Sequence, residues 1–197
     1  MTTEFDLNFE DLPSSVRSFR DLAREYAQDV VAPKAIELDQ QEAEEFDWDV
    51  VQAGHDIGLT RALLPPELGG MGVGVLGVAM ALEELAAADP GIALVFGATL
   101  LGQTPVLLTG DVELQEKFLS RFQEKEVRLA CNAVAEEEAG SDLVIPEFFR
   151  NAQMRTTLTR ADGGFLLNGH KRFITNGAVA DFASLYATID GVPADRG

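Results

Sequence analysis

One cysteine, Cys131, in 197 residues leaves no partner for an internal disulfide. The opening Met1-Thr-Thr-Glu-Phe-Asp6 has neither the basic nor the apolar stretch of a secretory leader, so a reducing cytoplasmic location is expected. Basic residues are also scarce: 15 Lys and Arg stand against 33 Asp and Glu, a net charge of −18 that opposes nonspecific binding to nucleic acid or anionic lipid. Of only two histidines, His55 has no Cys, Asp or Glu at a convincing ligand spacing, so no metal site is expected. Charge is absent from Gly91 to Gly110, but Gln103, Thr104, Pro105 and the lack of basic flanks make that run a poor membrane span. A helix buried inside a bundle explains it better. Apolar residues are plentiful at 46%, with mean hydropathy +0.03, which supports a buried core and excludes wholesale disorder.

The first two thirds of the chain read as helix. Val16, Phe19, Ala23, Tyr26 and Val30 recur at spacings of three and four, which predicts a helix entering near Ser14 and kinked or ended by Pro33. From Glu37 to Asp49 there are seven acids and no base, the pattern of a solvated face. Asp47 is placed to cap a second helix stopped by Gly58, with Val50, Val51, Gly54 and Ile57 inward. Pro65 to Gly74 is too rich in proline and glycine for a regular element. Its Gly-x-Gly lacks the preceding strand of a dinucleotide fingerprint. Helices are expected again from Val75 to Ala88 and, capped by Asp111, from Val112 to Glu124, with Leu114, Phe118 and Phe122 inward.

Past Glu126 the period changes. Strand composition occurs in Arg128–Ala135, Met154–Arg160, Phe165–Leu167 and Ala183–Ile189. Turns are expected at Asp162-Gly-Gly164 and at Asn168-Gly169, the latter as a tight hairpin leading to a further strand at Arg172–Thr175. The layout is α+β: an all-α helical bundle over 1–127, then a small antiparallel β-barrel-like domain over 128–197. Leu143 to Arg155, with Pro146-Glu-Phe-Phe149, reads either as a loop that meets a partner or as aromatics packed on the sheet.

Three motifs in fixed order carry a resemblance: Leu101-Gly-Gln-Thr-Pro-Val-Leu-Leu-Thr-Gly110, Ala139-Gly-Ser-Asp142 and Phe173-Ile-Thr-Asn-Gly177. Together they resemble the acyl-CoA dehydrogenase family of flavoproteins, from about Val16 to Ile189, over the first half of a family member. The resemblance implies FAD as cofactor and an acyl-CoA thioester as substrate. It implies a flavin lined by Asn132, Val134, Ala135, Gly140 and Ser141, and packed by Phe173, Ile174 and Thr175, with Thr175 toward the flavin N5. Ser141 is also implied to meet the acyl-CoA. An electron-transfer flavoprotein is the implied electron acceptor, and a homo- or hetero-oligomer the implied assembly. The expected closing strands of the β-domain and the C-terminal helical domain, which carries the carboxylate base, lie outside the similarity, so no catalytic residue is assigned.

Where the family has Thr-Glu-Pro-Gly-Ala-Gly-Ser-Asp, this chain has Ala135-Glu-Glu-Glu-Ala-Gly-Ser-Asp142. A hydroxyl is lost at Ala135, while Glu137 and Glu138 add negative charge near an anionic cofactor, and Glu138 stands where a glycine backbone is usual. Two readings follow. One is half of an FAD-dependent acyl-CoA dehydrogenase acting in fatty acid metabolism, inactive as this chain alone, with the base supplied by a separate or missing part. The other is a non-catalytic interaction subunit packed against an intact homologue.

Overall fold

A computed structural model of the chain describes residues 9–40, 45–149 and 152–189. Glu42 and Glu44 of the acidic run fall outside them. Helix α1 (Ser14–Tyr26) buries Val16, Phe19, Ala23 and Tyr26, as the three-and-four spacing requires. It continues through a wide π-type turn at Ala27–Val31 and a tight turn at Ala32–Lys34, where Pro33 interrupts the hydrogen-bond ladder, into the short α2 (Ala35–Asp39). Asp47 caps α3 (Trp48–Asp56): its Oδ1 accepts the Val50 N–H at 3.0 Å. Gly58 ends that helix at φ 96°.

Helices α4 (Gly74–Ala88) and α5 (Pro90–Thr109) follow, the second capped by Asp89 at the Ile92 N–H and stopped by Gly110 at φ 65°. Phe96 of α5 is fully buried, edge-on to Tyr26 at 6.2 Å, with Val50, Val51, Leu85 and Leu129 in the same cluster. A Cβ on Gly54 would lie 2.3 Å from the Phe96 ring, so the α3–α5 crossing needs glycine there. α6 (Val112–Leu119) is capped by Asp111, but Leu119 and Phe122 carry its burial while Leu114 is exposed. Phe118 lies between these extremes, stacked on Phe182. The correction at Leu114 follows from the early end of α6, which passes into a tighter turn at Ser120–Gln123 and rotates the buried face.

Among the described residues α5 is the one helix long and apolar enough to cross a membrane. It packs on α4, α6, β1 and β4, and buries the polar Thr99 and Gln103, the latter donating to the Thr60 carbonyl at 2.8 Å. Its burial is one-sided. Leu94, Leu101 and Leu108, seven residues apart, are 58%, 53% and 79% exposed, and Val75 and Val112 add to the open apolar surface. Surface of this kind favours association. The isolated chain is expected to self-associate or to bind a hydrophobic dye, and a dye-silent monomer in light scattering would reject this.

The strands are β1 (Ala130–Ala133), β2 (Thr157–Ala161), β3 (Gly164–Asn168), β4 (Phe182–Leu185) and β5 (Thr188–Ile189), with a single helical turn, α7 (Pro146–Phe149), between β1 and β2. Phe148 on that turn is exposed. The β2–β3 hairpin is antiparallel and turns at Asp162-Gly163, with Gly163 at φ 82°. The other two pairings depart from the antiparallel expectation. β1 runs parallel to β4, with Asn132 opposite Ser184, and β2 runs parallel to β5. A long connection lets distant segments align in the same direction, which a hairpin cannot do. The described strands form a two-stranded and a three-stranded sheet and no closed barrel.

The hairpin expected at Asn168-Gly169 is overturned. Neither residue has a positive φ, and no strand occupies 172–175. Gly169 is needed for another reason: a Cβ there would sit 2.3 Å from the Thr156 hydroxyl.

Candidate functional site

Residues 171–177 form a loop fastened at both ends to one flank of β1. At the far end, the Asn176 side-chain amide donates to the carbonyls of Val95 (2.8 Å) and Ala130 (3.1 Å) and to the Thr99 hydroxyl (3.2 Å). At the near end, Lys171 Nζ donates to the Val134 carbonyl at 2.8 Å and the Arg172 N–H to the Ala135 carbonyl at 3.0 Å. Phe173-Ile174-Thr175 therefore lies between an anchor at Ala130, the start of β1, and one at Val134-Ala135, just past its end. Asn176 and Phe173 both have left-handed backbones, at φ 64° and 56°. Asparagine tolerates this conformation, whereas a phenylalanine in it carries strain of ~1–3 kcal/mol that its surroundings must hold.

The anchored loop presents its side chains outward. Phe173 is 83% exposed, with the Arg172 guanidinium 5.1 Å from its ring centre. Thr175 is exposed and Ile174 half-buried; both line a cavity of about 570 Å³ with Phe46, Val95, Asn176 and Val179. The Asn132 Oδ1 is buried without a hydrogen-bond partner, an acceptor whose desolvation the protein itself does not offset.

Glu136 begins the turn beyond Ala135 and is buried. Its Oε1 accepts from the Thr156 N–H (3.0 Å), the Thr156 hydroxyl and Lys171 Nζ (2.9 Å), while Oε2 accepts the Arg155 N–H at 2.6 Å. Burial alone would raise this carboxyl. The Thr156 hydroxyl, the Arg155 N–H, Lys171 and the Thr156 N–H outweigh it and hold the pKa down at about 2. A folded pKa below the ordinary 4.5 means that the stabilisation is complete above about pH 4.5 and is lost as pH falls toward about 2. On the order of 3 kcal/mol is expected to disappear across that window. Denaturant midpoints measured from pH 5 to pH 2 check it: Glu136→Gln should flatten the acid limb, and an unchanged slope would remove Glu136 as its cause.

The two neighbouring acids do not act as bare charges. Glu137 pairs with Arg172 at 2.9 Å and Glu138 with Arg155, and Glu138 has no positive φ. The expected backbone strain at 138 is therefore absent, and the repulsion toward an anion is reduced by paired arginines. The Glu136 N–H donates to the Ala139 carbonyl at 2.7 Å and closes the turn. Ala139 packs with Val134, Leu143, Ala152 and Met154. Gly140 donates its N–H to Asp142 at 2.6 Å, and Ser141 is exposed at the head of a short tight turn.

Val134 and Ala135 are thus tied to Lys171 and Arg172, immediately before Phe173, Ile174 and Thr175, and Asn132 lies on β1 just before Val134. Among the described residues no hydrogen bond ties Gly140 or Ser141 directly to 171–177. Sequence reasoning missed Thr156, Lys171 and the bridging role of Asn176. A signal did exist, since the consecutive acids Glu136-Glu137 meet the consecutive bases Lys171-Arg172. His55 is a packed residue: its Nε2 donates to the Glu124 carbonyl at 2.9 Å and its Nδ1 accepts the Thr60 hydroxyl.

Comparison with known proteins gives a consistent result. Residues 14–126 match the family model described as acyl-CoA dehydrogenase, N-terminal domain, and residues 131–197 that described as acyl-CoA dehydrogenase, middle domain. The chain is 36% identical over 178 residues to a cyclohex-1-ene-1-carbonyl-CoA dehydrogenase of Geobacter metallireducens, covering 90% of this chain and 44% of that protein. It is 30% identical to a mitochondrial isovaleryl-CoA dehydrogenase of Arabidopsis thaliana over 91% of this chain and 42% of that one. Among solved structures, an acyl-CoA dehydrogenase complexed with FAD from Bacillus anthracis superposes with a TM-score of 0.76 at 32% identity, covering 92% of this chain and 30% of that chain. Butyryl-CoA dehydrogenase from Megasphaera elsdenii gives 0.73 at 30% identity, covering 87% and 44%. The chain spans less than half the length of these curated relatives.

Proposed function

We propose, because the chain belongs to the acyl-CoA dehydrogenase family, that it is the flavin- and acyl-CoA-contacting half of an FAD-dependent oxidoreductase that desaturates an acyl-CoA thioester at its α,β bond. One observation carries this reading: a loop fastened at both ends displays the ring of Phe173 and the exposed Thr175 next to the turn at 134–136, while the Asn132 Oδ1 on β1 is left without a partner. The residues fit a flavin. Its ring offers an N–H that an orphan acceptor could receive, a face that Phe173 and Ile174 could cover, and an acceptor atom that the Thr175 hydroxyl could meet.

Asn132, Val134, Ala135, Gly140, Ser141, Phe173, Ile174 and Thr175 are assigned to hold FAD, and Ser141 also to meet the acyl-CoA. Bound there, the flavin would supply the hydride acceptor. The protein's part is to orient it, to exclude water with the apolar loop, and to direct a hydroxyl to the reacting edge. The carboxylate that takes the α-proton is assigned to sequence outside these 197 residues. An electron-transfer flavoprotein as acceptor, oligomeric assembly, a place in fatty acid metabolism and a cytoplasmic location belong to the same proposal.

The test is an absorption spectrum of the chain purified alone and together with a polypeptide supplying the remaining family length. Flavin bands that bleach on adding an acyl-CoA are expected from the combination, and protein that is colourless in both preparations after exposure to FAD rejects the reading. The second reading, a non-catalytic interaction subunit, draws support from Ala135, whose methyl offers no donor, and from the open leucines of α5. FAD-free protein bound stoichiometrically to an intact homologue would favour it.

A further inference from the structure

The flavin reading leaves the most heavily bonded side chain of the region without a task. The Glu136 carboxylate ties its own turn at 134–136 to two distant segments, the start of β2 at 155–156 and the loop at Lys171. The side chains of Glu136 and Lys171 are only 5% and 8% exposed, and Lys171 Nζ is shared between that carboxylate and the Val134 carbonyl. Gly169, three residues before Arg172, has to be glycine for the chain to pass over Thr156, another partner of the same carboxylate. Two residues beyond Lys171 stands Phe173, in a left-handed backbone with its ring in solvent. A strained, outward-facing aromatic persists only where its neighbours over-determine it. Asn176 supplies that restraint on one side and Glu136, through Lys171, on the other.

We propose that Glu136 is a positioning residue: through Lys171 and Thr156 it locks residues 171–175 in the shape that receives the flavin ring. This rests on the flavin reading of the loop, and the charge is part of the argument. A neutral side chain at 136 cannot accept four donors, and breaking the pair leaves Lys171 buried without its counter-ion. Glu136→Gln is the direct variant. The double variant Glu136→Gln with Lys171→Met removes both charges together, so that no unpaired ion is stranded and the chain retains the means to fold.

Two readouts on the full 197-residue chain decide the matter. Without cofactor, amide hydrogen exchange of Arg172, whose N–H is held by the Ala135 carbonyl, should speed up about tenfold in the double variant, while that of α5 and β1 stays at the parent rate. Titrated with FAD, the same variant should bind about tenfold more weakly. A rise in exchange at Arg172 that does not extend to α5, β1 and β2, together with weaker FAD binding, supports the proposal. Parent-like exchange at Arg172 overturns it, and FAD binding by the parent would then leave the flavin reading standing. A uniform rise across β1, β2 and α5 also overturns it, because the pair would then be a fold-wide staple. A parent chain that takes up no FAD, alone or completed, rejects the flavin reading and the proposed role with it.

Discussion

Thr175→Val is expected to slow flavin reduction by acyl-CoA about a hundredfold while hardly changing the stability of the flavin-free chain. Thr175 is exposed, on the rim of the cavity shared with Phe46 and Val95. Valine keeps its shape and removes only the hydroxyl, so no buried group is stranded and the folding loss should be about 1 kcal/mol or less. For a chain of this size that is a shift of about 4 °C or less in melting temperature. A preorganised donor aimed at an atom where charge develops is worth far more, on the order of a hundredfold in rate. Melting of the apo chain, alongside single-turnover reduction in the completed protein, separates the two effects. Equal rates in variant and parent would take Thr175 out of the site, and a fall of ten degrees or more would make its role structural.

The helices were legible because their signals are local. The three-and-four spacing of Val16, Phe19, Ala23 and Tyr26, and the caps at Asp47 and Asp111, need only a few neighbouring residues to act. The turn at Asp162-Gly163 was legible for the same reason. Asn168-Gly169 misled because two demands select the same residue. Glycine serves a positive-φ turn and also a close backbone approach, and only the position of Thr156, thirteen residues earlier in the chain, shows that the second applies. The parallel pairing of β1 with β4 depends on what happens between them, which strand composition does not encode.

The open side of α5 was hidden in a similar way. An uncharged run shows that a helix can be buried, yet not which face is covered. In the candidate site, the motif Phe173 to Gly177 falls on one anchored loop, but the motif does not show what holds that loop. Glu136 looked like a flank of the small-residue turn, and its three partners outside the turn lie 19, 20 and 35 positions away.

Asn176 reaches further along the chain than Glu136, and its replacement carries the largest expected loss of stability. Its amide reaches residues 81, 77 and 46 positions away, joining two turns of α5 and the first residue of β1. Asn176→Ala removes all three bonds in a buried place and puts a Cβ-bearing residue with no compensating side chain into a left-handed backbone. At about 1 kcal/mol for each of the two amide hydrogens, which the three acceptors share, and about 1 kcal/mol for the backbone, the cost is ~3 kcal/mol, or roughly 6–12 °C in melting temperature. Asn176→Gly separates the two contributions, since it keeps the conformation cheaply and loses only the bonds, and it should recover about 1 kcal/mol of the deficit. Asn176→Asp should be at least as harmful as alanine, because it directs a carboxylate oxygen at two carbonyls. Thermal melts of the three variants test this ordering: an alanine variant within 1 kcal/mol of the parent would mean that the loop is held from its Lys171 end alone.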